Sequence, residues 1–250
     1  MLTELNSVTI SKIRNPVFAA YAGIYEQIYE RFMTQVGRSG IQIEKSASSP
    51  ELAAQLDRLR KKGAHFRNSG KSIVVNQISS ACEACRTGVG SATYFISLKC
   101  HRNCYYCFNP NQENYEEFSQ NKRDVVEELS DVARQGLKVK HIALTGGEPL
   151  LFKDEAVAFF DTAQTVFPKA YTRLYTCGDT IDERLLNRLQ AAGLDEIRFS
   201  IRMHDLEKGH REVFEHIAMA THAIPQVMVE MPVLPDSRET MVEVLLELEK

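Results

Sequence analysis

From Ser91 onward the chain alternates between short apolar runs and amphipathic ones, and this order constrains the fold more than any other feature. Strands are expected over 93–98, 140–145, 171–176, 196–202 and 226–233. Helices are expected between and after them, over 124–135, 154–167, 182–192, 207–221 and 238–250. Gly136, Pro168 and Gly193 mark breaks between them. β/α units in unbroken series predict a parallel sheet with right-handed crossovers, open or rolled into a barrel. The last helix runs to the end of the sequence, so a further strand is expected beyond it.

Residues 1–90 read differently. Ile24, Ile28, Phe32 and Val36 recur at four-residue steps, predicting a helix over 17–36. Ser49 followed by Pro50 is an N-cap and first-turn pair, predicting a second helix to about Lys62, before Gly63. A short strand over 73–75 leads into a small, polar stretch containing Cys82 and Cys85. Two regions are therefore expected: a helical extension, 1–90, ending in a C-x2-C loop, and an α/β region, 91–250.

Composition excludes several classes. Hydrophobic residues are 44% and charged residues 25% of the 250, ordinary for a globular protein. No apolar run nears the ~18 residues that span a bilayer, and the N-terminus lacks a basic start with an apolar core. A cytoplasmic protein with no membrane partner is expected. The net charge of −3 is uneven. Residues 1–90 hold 12 Lys+Arg and 7 Asp+Glu, against 18 and 26 in the remainder. Arg58, Arg60, Lys61, Lys62, Arg67 and Lys71 are read as solvated cations near a helix end. They lack the interleaved aromatics of a nucleic-acid surface.

Six cysteines are too few for a disulfide scaffold of this size and read as metal or redox chemistry. Cys100, Cys104 and Cys107 follow the first strand at C-x3-C-x2-C spacing. Three thiolates can hold three irons of a [4Fe–4S] cube and leave the fourth open to a small molecule, whereas electron-carrying clusters are closed by four. The competing reading is a zinc site completed by Cys82, Cys85 or His101, giving a zinc-stabilised nucleic-acid or protein binding module.

Parallel α/β sheets place their sites at the carboxyl ends of the strands. There the cysteine run meets Gly146-Gly147-Glu148-Pro149 after the second strand and Thr176-Cys177-Gly178-Asp179 after the third. Two glycines admit a ligand to the backbone.

The cysteine spacing, with Tyr106 before the third cysteine, together with Gly146 to Pro149, resembles the radical S-adenosylmethionine (radical SAM) enzymes. The resemblance spans about residues 91–235 and does not fix a subgroup. It implies a partial (β/α)6-type barrel and an oxygen-sensitive [4Fe–4S] cluster on Cys100, Cys104 and Cys107. It also implies S-adenosylmethionine chelated to the fourth iron. Gly146, Gly147 and Glu148 would orient the methionyl amino group, and Tyr106 would lie against the adenine. Ser200 or Arg202 would reach the ribose or carboxylate. The implied activity is reductive cleavage to methionine and a 5′-deoxyadenosyl radical that abstracts hydrogen from a substrate. An external one-electron donor, a flavodoxin or ferredoxin, is implied as partner. The stretch Met231 to Asp236 leans toward a protein or peptide substrate.

Cys82 and Cys85 are read first as an auxiliary metal site. Only Cys177 is left as a third thiol, so four cysteine ligands cannot come from this sequence. A redox dithiol and a pair of small buried residues are the other readings. Cys177 and His204 are read as a buried thiol and an exposed loop histidine.

Overall fold

The structure, a computed structural model, describes residues 6–40, 49–85, 88–207, 209 and 211–250. It divides into two compact units, Met1–Ile78 and Ser79–Lys250.

In the first unit, α1 spans Ser7–Ile10, α2 Pro16–Arg38 and α3 Pro50–Lys61. The starts of α2 and α3 are set by side chains. Asn15 accepts from the amide of Phe18, and Ser49 Oγ accepts from the amide of Leu52 at 3.1 Å. Each is followed by a proline whose missing N–H costs nothing in the first turn. Strands β1, His65–Arg67, and β2, Ser72–Val74, form an antiparallel pair with His65 opposite Val74.

The second unit opens with α4, Ser80–Cys85. This helix replaces the loop expected around Cys82 and Cys85. Ser79 Oγ accepts from the amide of Ala81, satisfying a free donor in the first turn. Then follow β3 Ser91–Phe95, α5 Tyr115–Gln120, α6 Val125–Arg134, β4 His141–Thr145, α7 Lys153–Val166, β5 Tyr171–Thr176, α8 Glu183–Ala191 and β6 Glu196–Ser200. After these come α9 Met203–Glu207, α10 Glu212–Ala223, β7 Gln226–Glu230 and α11 Arg238–Leu248. The helix expected over 207–221 begins instead at Glu212, as α10, and the short α9 that ends at Glu207 precedes it. Gly209, at φ +88°, lies between them in a left-handed conformation that no helix continues through.

Strands β3 to β7 form one parallel sheet in chain order. The register sets Tyr94 beside Leu144, Leu144 beside Leu174, and Leu174 beside Ile197. These residues face the helices, and the core forms there. Phe159 and Phe160 of α7 are fully buried, and Phe159 meets Tyr94 at 5.4 Å between ring centroids. Residues one position along each strand point the other way. They include His141 and Ala143 of β4, Tyr171, Arg173 and Tyr175 of β5, and Glu196 and Arg198 of β6. One face of the sheet is thus apolar under helices, and the other is a charged inner face. This is the expected α/β architecture, a partial barrel.

Candidate active site

Strand β3 ends at Phe95, but its chain stays tied down as far as the cysteines. The amide of Leu98 donates to the carbonyl of Phe118, and Ser97 Oγ donates to the same carbonyl at 2.8 Å. Ser97 Oγ also accepts from the amide of Lys99. The loop carrying Cys100, Cys104 and Cys107 therefore starts from a fixed point.

The two glycines that follow β4 lie against that point. The amide of Gly147 donates to Ser97 O at 3.1 Å, and the amide of Glu148 to Lys99 O at 2.9 Å. A Cβ on Gly147 would lie 2.0 Å from Lys99 O, closer than atoms can approach. Gly146, at φ +112°, would put a Cβ 2.5 Å from Phe95 Cβ. On the far side of the cysteines, Asn109 Nδ2 donates to Gly146 O at 2.6 Å. The diglycine is thus clamped between the two ends of the cysteine loop, and only glycine fits there.

Glu148 is 3% exposed and joins this turn to the end of β5. Its Oε1 accepts from Thr176 Oγ1 at 2.7 Å and from the amide of Leu150 at 3.0 Å, and its Oε2 from the amide of Cys177 at 2.7 Å. The carboxylate is fully used inside the protein, which holds the backbone of 146–148 in place.

Ion pairs bracket the cysteines from the other side. Arg102, between the first two cysteines, grips both oxygens of Asp179 and also reaches Asp205. His101 Nε2 lies on Asp179 Oδ2. Arg202 makes a two-point contact with Asp205, at 2.6 Å each, and its Nη1 is 3.6 Å from Cys104 Sγ. Burial would raise the Asp179 pKa, but hydrogen bonds from Arg102 and His101 outweigh it and hold the carboxyl below its usual range. Burial pushes the Tyr106 phenol up to about 12, helped by Cys104. Burial and the Glu148 charge push the Cys177 thiol well above the ordinary range, so it is neutral.

Beside the loop is a cavity of about 670 Å³, lined by His101, Arg102, Cys177, Ser200, Arg202 and His216 among others. That size suits a cofactor-sized ligand. The cavity wall takes in His101 and Arg102 of the cysteine loop together with Ser200 and Arg202, while the diglycine turn is joined to that loop by hydrogen bonds and is not part of the wall. Tyr106 sits on the loop itself, half-exposed and packed on Tyr105.

The donor set fits a cube better than a zinc ion. Cys100, Cys104 and Cys107 are all free thiols. Among the described residues, the one group of potential ligands with atoms within 4.8 Å of one another is His101, Cys177 and Asp179, not the cysteine triplet. A zinc tetrahedron holds its thiolates about 3.8 Å apart, given Zn–S near ~2.3 Å. As for that His–Cys–Asp group, the Arg102 guanidinium already occupies its carboxylate, which makes it an ion-pair cluster.

Cys82 lies elsewhere. Its Sγ is 3.3 Å from Arg198 Nη2 on the inner face of the sheet. The side chain of Cys85 is outside the described residues. His204 is half-buried and lies 3.4 Å from Asp205. Sequence reasoning missed Arg102, Asn109 and Asp205 as positioning residues. The one available signal was a charged residue between two candidate cluster cysteines.

Residues 94–248 match the family model described as the Radical SAM superfamily. The chain is 30% identical over 172 residues to a Methanocaldococcus jannaschii protein that carries the name of a glycyl-radical enzyme activating enzyme. That match covers 64% of this chain and 44% of the relative. It is 29% identical over 116 residues to the PqqA peptide cyclase of Granulibacter bethesdensis, 46% of this chain and 30% of that one. The chain spans less than half the length of these curated relatives. The crystal structure of Streptococcus suis SuiB bound to precursor peptide SuiA aligns with a TM-score of 0.51 at 14% identity. It covers 92% of this chain and 50% of that one, and shows a shared fold.

Proposed function

The chain belongs to the radical SAM superfamily, and from that premise we propose that it carries out [4Fe–4S]-dependent cleavage of S-adenosylmethionine. The observation that carries this reading is the diglycine turn clamped across both ends of the loop bearing three free thiols. When bound, the cluster supplies one electron to the sulfonium, and the resulting 5′-deoxyadenosyl radical takes hydrogen from a substrate.

The chain's own residues bind and position. Cys100, Cys104 and Cys107 would hold three irons, and soft thiolates suit that task. Backbone at Gly146 and Gly147 would meet the methionyl amino group. Glu148 would act through its bonds to Thr176 and Cys177, which fix that backbone. Tyr106 would border the adenine. Ser200 and Arg202, both on the cavity wall, would meet the ribose or carboxylate. Enclosing the site matters because a primary carbon radical attacks whatever lies nearest.

A polypeptide substrate is favoured by two names among the relatives, a peptide cyclase and a protein solved with its precursor peptide. A flavodoxin or ferredoxin would deliver the electron in the cytoplasm. No helix among the described residues is long and apolar enough to cross a membrane.

The test is anaerobic reconstitution followed by dithionite and S-adenosylmethionine. 5′-Deoxyadenosine should form, and the Cys100→Ala, Cys104→Ala, Cys107→Ala triple variant should form none. Equal product from the triple variant would overturn the proposal.

A further inference from the structure

The inner face of the sheet carries two arginines in very different circumstances. Arg198 is satisfied at every nitrogen. It pairs with Glu196 through Nε and with Glu230 through Nη1 at 2.7 Å, and its Nη2 lies 3.3 Å from Cys82 Sγ. Glu196 is equally occupied, accepting from Ser79 Oγ at 2.6 Å and Tyr171 OH at 2.8 Å besides Arg198. Arg173, directly opposite Glu196 in the sheet register, is 3% exposed. Among the described residues it makes no ion pair, and its buried Nε has no acceptor.

An isolated buried charge is costly unless something pairs with it. The neighbours of Arg173 do not supply that partner. Its register neighbour on β4 is Ala143, itself fully buried, whose methyl group can neither pair with a charge nor accept a hydrogen bond. Tyr175, next along the inner face, stacks its ring 5.8 Å from the Arg173 guanidinium carbon and 5.2 Å from that of Arg198. His141, one inner-face step below Ala143, also has a buried ring nitrogen, Nδ1, without a partner. Burial, then the nearby Arg173 charge, holds its pKa below the ordinary value, so it adds no charge at neutral pH.

Two orphaned polar groups on one inner face, one of them cationic, call for the same missing partner. We propose that Arg173 anchors an anionic oxygen group of the substrate, a carboxylate or a phosphate, on the floor of the barrel. Tyr175 forms the apolar wall beside it, and His141 offers a second hydrogen bond. Arg173 lies three residues before Thr176, so the anchor is about 10 Å of strand below the mouth where the cysteine loop sits. A substrate held there by its anionic end would extend toward the mouth. This inference rests on the radical SAM reading, since it takes the inner face as the substrate side.

The test is thermal unfolding of the reconstituted chain with increasing inorganic phosphate or succinate, against sodium chloride at matched ionic strength. The unaltered chain should show a saturable rise in Tm, about 3–6 °C at tenfold excess over the dissociation constant. The anion that gives the larger rise names the group. Arg173→Met should abolish the response. Arg173→Lys keeps the charge but loses the two-point fork, so it should need higher anion concentrations. If Arg173→Met does not fold, the lysine variant decides. No rise in the unaltered chain beyond chloride, or an equal rise in the variants, overturns the assignment. Iron uptake and 5′-deoxyadenosine formation are scored separately on the unaltered chain, so failure of the anchor and failure of the family chemistry stay distinguishable.

Discussion

Gly147 lies so close to Lys99 that a Cβ placed on it would fall 2.0 Å from the Lys99 carbonyl oxygen. The contact joins the turn after β4 to the residue just before Cys100, so two distant motifs form one rigid piece.

That contact makes a sharp prediction. Gly147→Ala must push the turn away from Lys99 and with it the start of the cysteine loop. The variant should fold, because the helical core lies on the other face of the sheet, yet reconstitute with far less iron than the unaltered chain. Iron per chain beside a far-ultraviolet circular dichroism melt separates the two effects.

The core itself should respond in the opposite way. Phe159 is fully buried and meets Tyr94 and Phe160 at 5.4 and 5.3 Å. Phe159→Ala should cost about 3–5 kcal/mol, from lost burial and the cavity left behind. Urea unfolding should show a lower midpoint at unchanged slope.

Asp179 ties His101 and Arg102 to the end of β5. Asp179→Asn removes the charge that Arg102 grips on two oxygens and frees the loop between Cys100 and Cys104. A chelator should then strip iron several-fold faster than from the unaltered chain, followed by loss of the charge-transfer absorbance.

Glu196 gives a pH dependence remote from the cysteines. Burial would raise its pKa, but hydrogen bonds from Ser79, Tyr171 and Arg198 win and hold it below the ordinary carboxylate value. A depressed folded pKa means that the unfolded chain takes up its proton first as pH falls. The stabilisation from Glu196 is thus complete above the unfolded value, about 4.3, and fades as pH falls through the folded one. The stability difference between the unaltered chain and Glu196→Gln should be flat from pH 7 to 5 and shrink below that. Urea midpoints across that range check it.

Local chemistry explains what could be read from the sequence. Strand β5 was legible to the residue because Tyr171 to Thr176 alternates between two chemically different faces. The start of α3 was legible because Ser49 and Pro50 act within one turn. Helix α5, Tyr115–Gln120, was not, since six mostly polar residues carry no period. The cysteine triplet and the diglycine were legible as spacings. The residues that brace them were not, because Arg102 and Asp179 lie 77 positions apart and meet only through the fold. Arg198 and Cys82, 116 apart, are hidden for the same reason.

The most direct measurement of the central claim is metal and sulfide analysis of the anaerobically reconstituted chain. About four irons and four acid-labile sulfides per chain should be found, with both lost in the Cys100→Ala, Cys104→Ala, Cys107→Ala variant. One zinc per chain without sulfide would contradict the account.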